Sequence, residues 1–285
     1  SGVLLMIHQL ISGNARISLS NMSISIQEQL QIPISPTTVQ KGCKQLRYSY
    51  KPPQIVHELT EVQKRNRILF ARTLIVMAYK GQIDLKSIVF SDESRFVLGD
   101  DKQWVWRRYG ERNPTAVRSL NKFPPSLMIY GSIGVDYKSK LVCVENSIDS
   151  LQYKYNIIQS EMIVDMDREK GRGNWIFMQD GARCHTSQMT VKWLATVCRF
   201  IKKWPANSPD LNPIDNFWGC LKCAVSKLKP KTVQELRQVV EQVWNEFDQE
   251  SINNLVLSFF QRLILILQKE GESIQPLLRK SLNNL

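Results

Sequence analysis

The sequence predicts a mixed α/β layer fold preceded by a small all-α segment. Three observations carry this. Residues 3 to 47 read as three short helices. Residues 86 to 146 carry apolar runs in strand alternation, broken by Gly and Asp. From residue 174 onward a strand, a helix, a second strand and long helices follow one another, the pattern of a sheet covered by helices.

The elements follow in order. "VLLMIHQLI" is the first helix and "SISIQEQL" the second, with Ser23 as its N-cap. "SPTTVQKGCKQLRY" opens a third, capped by Ser35 with Pro36 at its first position. A helix, a short turn and a capped helix carrying Lys41, Lys44 and Arg47 resemble a helix-turn-helix DNA reader. A small helical bundle with a solvated basic face fits equally well. "RYSYKPPQIVHEL" reads as an extended linker, so the domains are expected at residues 1–58 and 59–285. "TEVQKRNRILFARTLIVMAY" is one helix, basic in its first half.

"KSIVFSDESRFVLG" and "QWVWRRYG" are strands, and "PSLMIYGSIGVDYKSKLVCVEN" is two strands around a "DYKSK" turn. "SLQYKYNIIQSEMIVDMD" returns to helix. "NWIFMQDGARCHTS" is a buried strand ended by Asp180-Gly181, "SQMTVKWLAT" a helix and "VCRFIKKW" a short strand. Three helices close the chain: "NPIDNFWGCLKCAVSKLK", "TVQELRQVVEQVWNEFDQE" and "SINNLVLSFFQRLILILQKEG".

Composition narrows the function. The 285 residues hold 38 Lys+Arg against 26 Asp+Glu, a net charge of +12. That excess points to a polyanionic partner, nucleic acid first and an acidic membrane surface second. The longest apolar runs fall short of the roughly 20 residues of a membrane span, and the start lacks the basic region of a secretory leader. The six cysteines form no disulfide framework and suit reduced thiols in a cytosolic or nuclear protein. Cys220 and Cys223 make a lone C-x-x-C, better read as two packed positions one helical turn apart than as a zinc site.

Three aspartates stand out. Asp92 interrupts an apolar strand, where a carboxylate is costly unless paired. Asp180 ends a buried strand, and Asp215 lies near a helix start. Acids on rigid elements from distant parts of the chain are what a two-metal phosphodiester site needs. Each also has a structural reading. Asp180-Gly181 is then a turn, Asp210 and Asp215 charge a helix N-terminus, and Asp92 faces solvent on an edge strand with Glu93 inward.

Four ordered stretches, "FSDESRF", "QWVWRRYGER", "FMQDGARCHTS" and "WPANSPDLNPIDNFWGCLK", resemble the transposases of the mariner superfamily of cut-and-paste DNA transposons. The spacing of 34 residues between Asp180 and Asp215 is similar to the family's. The resemblance implies a ribonuclease-H-like catalytic domain with a DDE/D acid triad, Asp92, Asp180 and Asp215. It implies that the triad binds two Mg²⁺ or Mn²⁺ ions. Water would cut at the transposon ends, and the freed 3′-hydroxyl would attack target DNA at TA. The segment 15–58 resembles the second helix-turn-helix of the family's DNA-binding region, with the first one missing. Implied partners are double-stranded DNA, as terminal inverted repeats and target, and a second copy of the chain, with no membrane. The nucleus is the implied location.

Ser35, Thr37, Thr38, Lys41, Lys44, Arg47 and Lys51 are then DNA-binding candidates, with Arg107 and Arg108 near the catalytic face. Arg112 is placed there with them, and Lys202 and Lys203 are further candidates. Glu93 and His185 are candidates for the active-site wall, although a satisfied structural histidine is the favoured reading of His185. Asp210 is expected to be bonded within its own turn. The third acid is Asp, as in the mariner branch proper, while the surrounding helix motif resembles the branch that uses Glu. Arg183 stands where the family often has proline. Two other readings remain: a truncated or domesticated transposase-derived DNA-binding protein without catalysis, and a cellular ribonuclease-H-like nuclease.

Overall fold

A computed structural model describes residues 2–14, 17–48, 58–99, 124–144, 150–153, 155, 162–275 and 277–278. The chain divides into two compact units, Ser1–Ile55 and Val56–Leu285. The expected strand "QWVWRRYG", with Arg107, Arg108 and Arg112, lies outside the described residues, as does Lys51.

The first unit is three helices, α1 (Gly2–Gly13), α2 (Leu19–Leu30) and α3 (Pro36–Gln45). Met6, Ile7, Met22, Ile26 and Val39 form its core. Gly42 lets α3 approach α1, since a Cβ there would meet Ile7 Cδ1 at 2.6 Å. Ser35 caps α3 by accepting from Thr38 N, with Pro36 in the first turn. The expected cap at Ser23 is corrected. Ser18 caps α2, which starts earlier, and buried Ser23 donates instead to Ile34 O at 2.6 Å. A hydroxyl inside a helix cannot reach the free N–H groups of the first turn, so it bonds across the turn.

The second unit opens with α4 (Glu61–Tyr79), held by a Thr60–Gln63 capping box. A 3₁₀ turn (Leu85–Ser87) leads into β1 (Ile88–Val97), β2 (Ser126–Gly134), β3 (Tyr137–Lys138) and β4 (Val142–Val144). The short α5 (Ser150–Gln152) and α6 (Ile163–Lys170) precede β5 (Ile176–Met178). Then come α7 (Arg183–Thr186), α8 (Gln188–Val197), β6 (Arg199–Phe200), α9 (Pro213–Leu228), α10 (Val233–Glu246) and α11 (Gln249–Gln268). The turn expected at "DYKSK" falls earlier, at Val135-Asp136, where Asp136 takes φ 53°, and "YK" is itself β3.

The sheet runs β3-β2-β1-β5-β6, with β4 also on β2. β1 pairs antiparallel with β2 and parallel with β5, so it is a central strand, not an edge. Its alternate residues separate two cores. Ile88, Phe90 and Phe96 join the cluster built with α9, α10 and α11, whereas Val89 joins Tyr130, Tyr153, Trp175 and Phe177. The 20-residue α11 is long and apolar enough to cross a membrane by length and composition, beyond the sequence expectation. In the fold, Ile252, Leu255, Val256, Phe259, Leu263 and Ile266 bury its face in the first cluster.

Gly131 sets how closely α9 and α10 approach the sheet. It faces Asp92 across the β1–β2 ladder, and a Cβ there would meet Trp244 at 2.9 Å and Trp218 at 3.0 Å. Gly131→Ala is therefore expected to destabilise the protein by about 1–3 kcal/mol through overpacking. A urea melt checks this, and an unchanged midpoint would remove the close approach from the account.

Candidate active site

Three elements deliver the acids. Asp92 sits in the middle of β1. The parallel register pairs Phe90 with Met178, so two residues further on Asp92 comes level with Asp180, just past β5. Ser91 Oγ fixes that junction by donating to Met178 O at 2.8 Å. Asp215 lies in the first turn of α9, whose Phe217 and Trp218 are buried in the same cluster as Phe90 and Phe96. Side chains directly opposite on an antiparallel pair share a face. Asp92 therefore shares the face of Gly131, which the α9 tryptophan covers.

The three carboxylates act on one another. Burial, then Asp215, Glu93 and Asp180, push Asp92 up to about 8. Burial, together with Asp180, pushes Asp215 up to about 6, against a lowering bond from Asn212 and the charges of Arg262 and Lys222. A cation placed between two such buried acids would relieve their mutual repulsion. All-oxygen donors from rigid elements suit a hard divalent ion. Among the described residues no three His, Cys, Asp or Glu side chains close into a complete ligand set. One oxygen of Asp180 is already engaged: its Oδ1 is held by His185 Nδ1 at 2.5 Å and by Ala182 N at 3.0 Å.

His185 is buried, and it bridges acids. Its Nε2 lies 3.2 Å from Glu93 Oε1, and its ring lies 4.2 Å from that of Tyr153. Burial opposes its charge, but the bonds to Asp180, Cys184 and Glu93 hold its pKa well above the ordinary value. Asp180 is lowered despite burial, by His185 and the Ala182 amide. Glu93 follows Asp92 in the strand and so points to the opposite face, toward Tyr130 and Tyr153. The structure thus places Glu93 and His185 behind Asp180. Glu93 still acts on Asp92 through its charge.

Asp210 corrects one expectation. It is not bonded merely within its turn. Arg67 of α4 donates to both its oxygens at 2.8 Å, and Ile274 N donates to Oδ2 at 2.7 Å. Arg67, which reads as one basic residue among several, is 0% exposed. Arg262 of α11, also buried, donates to the Asp210 carbonyl and to Asn216 Oδ1. Its one signal in sequence is a lone arginine inside the apolar run "SFFQRLILIL". Gly219, one turn into α9, is exposed with open space around it.

Of the DNA-binding candidates, Ser35, Thr37, Thr38, Lys41, Lys44 and Arg47 are all exposed on or just beside α3. Thr37, Lys41 and Lys44 share one face, opposite the buried Val39 and Gly42. Lys202, Lys203 and Arg183 are exposed in the second unit. Cys220 is partly buried and Cys223 is exposed, so only the first packs as expected.

The DDE superfamily endonuclease family matches residues 87–237. That span runs through all three acids. The chain is 28% identical over 258 residues to the transposable element Tc3 transposase of Caenorhabditis elegans, covering 87% of this chain and 74% of that one. Among solved structures it resembles the Mos1 transposase paired-end complex with left transposon end, with a TM-score of 0.74 at 18% identity over 95% of this chain and 80% of that one. The mariner Mos1 paired-end complex with Mg gives 0.72 at 19% identity over 94% and 79%. The second unit accordingly has the ribonuclease-H-like fold of these proteins. With a match over more than half its length, the chain belongs to the DDE superfamily endonucleases, as a DNA transposase of the mariner superfamily.

Proposed function

We propose that this chain cuts DNA at transposon ends and joins the freed ends to target DNA, at TA, using Asp92, Asp180 and Asp215 to hold two Mg²⁺ or Mn²⁺ ions. The observation that carries this is the mutual electrostatic strain of three acids delivered by β1, the end of β5 and the start of α9. When bound, the ions supply activation of the attacking water or 3′-hydroxyl and stabilisation of the leaving oxygen. The chain's own part is placement. Asp92 is fixed by a central strand, and Asp215 by a helix start buried through Phe217 and Trp218. His185 donates its Nδ1–H to Asp180 Oδ1, which favours the ionised carboxylate. With Oδ1 held by His185, Asp180 would serve as a ligand through its other oxygen.

Double-stranded DNA as inverted repeats and target, a homodimer holding two ends, and a nuclear location complete the proposal. The net charge of +12 and the exposed Thr37, Lys41 and Lys44 face support DNA as partner. The Mos1 structures it resembles include a paired-end complex with a transposon end, and paired-end complexes with Mn and with Mg.

Cleavage of a supercoiled plasmid carrying candidate ends tests the reading. The chain is expected to nick and linearise it with Mg²⁺ or Mn²⁺, and Asp215→Asn to lose that activity. Cutting by both at one rate would sink Asp215 as a ligand. DNA binding without cutting by either would favour a transposase-derived binder.

A further inference from the structure

We propose that Arg262 is a positioning residue for Asp215, fixing the first turn of α9 from the far helix α11. The inference rests on reading Asp215 as a metal ligand. Arg262 Nη1 donates to Asp210 O at 2.8 Å and to Asn216 Oδ1 at 2.5 Å, while Nε donates to Ser258 Oγ at 3.0 Å. One guanidinium thus grips the chain on both sides of Asp215, 52 and 46 residues away in sequence. The usual device for fixing a helix start is missing at α9. Asn212 stands at the N-cap without a side-chain cap bond, and its Oδ1 is buried without a partner. Arg262 holds this start from outside the helix by a different means, as a donor to Asp210 O and Asn216 Oδ1.

Core packing alone does not call for an arginine at this position. Arg262 is 2% exposed, on the face of α11 that buries Phe259, Leu263 and Ile266. A buried guanidinium is costly to desolvate, and an apolar residue of similar volume usually stabilises as well or better. What the arginine adds is direction: a planar donor whose two acceptors bracket a carboxylate. It also brings a positive charge that Asp215 feels, countering the repulsion from Asp180. Residues that orient metal ligands through hydrogen bonds typically change metal affinity by about 10–100-fold when removed.

The test is a Mn²⁺ titration of the full chain, read by loss of the free-ion EPR signal. The variants are Arg262→Met, Arg262→Lys, Asn216→Ala and Asp215→Asn, with folding checked by circular dichroism. Arg262→Met is expected to weaken Mn²⁺ binding by about tenfold or more, and Arg262→Lys to recover part of the loss. Asn216→Ala removes one acceptor and is expected to weaken binding in the same direction while sparing the core. A folded Arg262→Met within twofold of the wild type overturns the proposal. Should that variant not fold, Asn216→Ala within twofold overturns it instead. Asp215→Asn keeps the two failures apart. Unchanged binding there refutes the metal-site reading itself, whereas lost binding there beside a wild-type Arg262→Met refutes only the role of Arg262.

Discussion

Asp92→Asn is expected to abolish DNA cleavage, by roughly 10³-fold or more, while making the metal-free protein more stable. The two effects have one cause. Burial and three neighbouring acids raise the Asp92 pKa from 3.8 to about 8. A carboxyl with a raised folded pKa binds more protons folded than unfolded, so its stability contribution is complete below pH 4 and is lost as pH rises toward 8. Metal-free wild type should therefore melt at falling temperatures from about pH 4 to pH 8. The amide carries no charge, so the variant's profile should be flatter, leaving Asp215 to titrate near 6. At pH 8 we expect a gain on the order of 2 kcal/mol, or about 5 °C. Added Mn²⁺ should raise the melting temperature of the wild type more than that of the variant. Parallel pH profiles measured in chelator would show that Asp92 is not under this strain.

Asp210→Ala is expected to cost about 3–5 kcal/mol, a larger stability loss than that of Gly131→Ala. Arg67 would keep its charge at 0% exposure with Ser208 and two backbone carbonyls, but with no anion. Ile274 N would also lose its acceptor. This junction ties α4, the turn before α9 and the segment after α11 into one body. A urea melt checks the prediction, and a loss under about 1 kcal/mol would refute it. Arg67→Met should cost less, because Asp210 keeps the Ile274 amide and the nearby charge of Arg262, whereas Asp210→Ala leaves Arg67 without an anion.

Much of this protein is legible along the chain because the deciding interactions are local. Ser35 with Pro36, and Thr60 with Gln63, fix helix starts through bonds spanning three residues. Alternation in "SIVFSDESRF" and the break at Asp180-Gly181 mark strands without any partner. The order and type of the three acids are likewise plain in sequence, and the family match spans them. Ser23 went the other way: a good cap residue was overruled by Ser18 upstream, because a helix has one start and tertiary packing chose it.

Only the tertiary structure decided what each polar residue meets. The parallel register of β1 and β5 brings Asp92 level with Asp180, and the Ser91–Met178 bond beside them joins residues 87 apart in sequence. No local pattern encodes such a register. Period-two pleating turned Glu93 away from Asp92 and gave it to His185. Arg67 and Arg262 read as ordinary cations, yet both are buried, with partners 143 and 46 residues away. Burying a charge is tolerable only where a partner is waiting. Sequence can name the charge, but folding alone brings the partner to it.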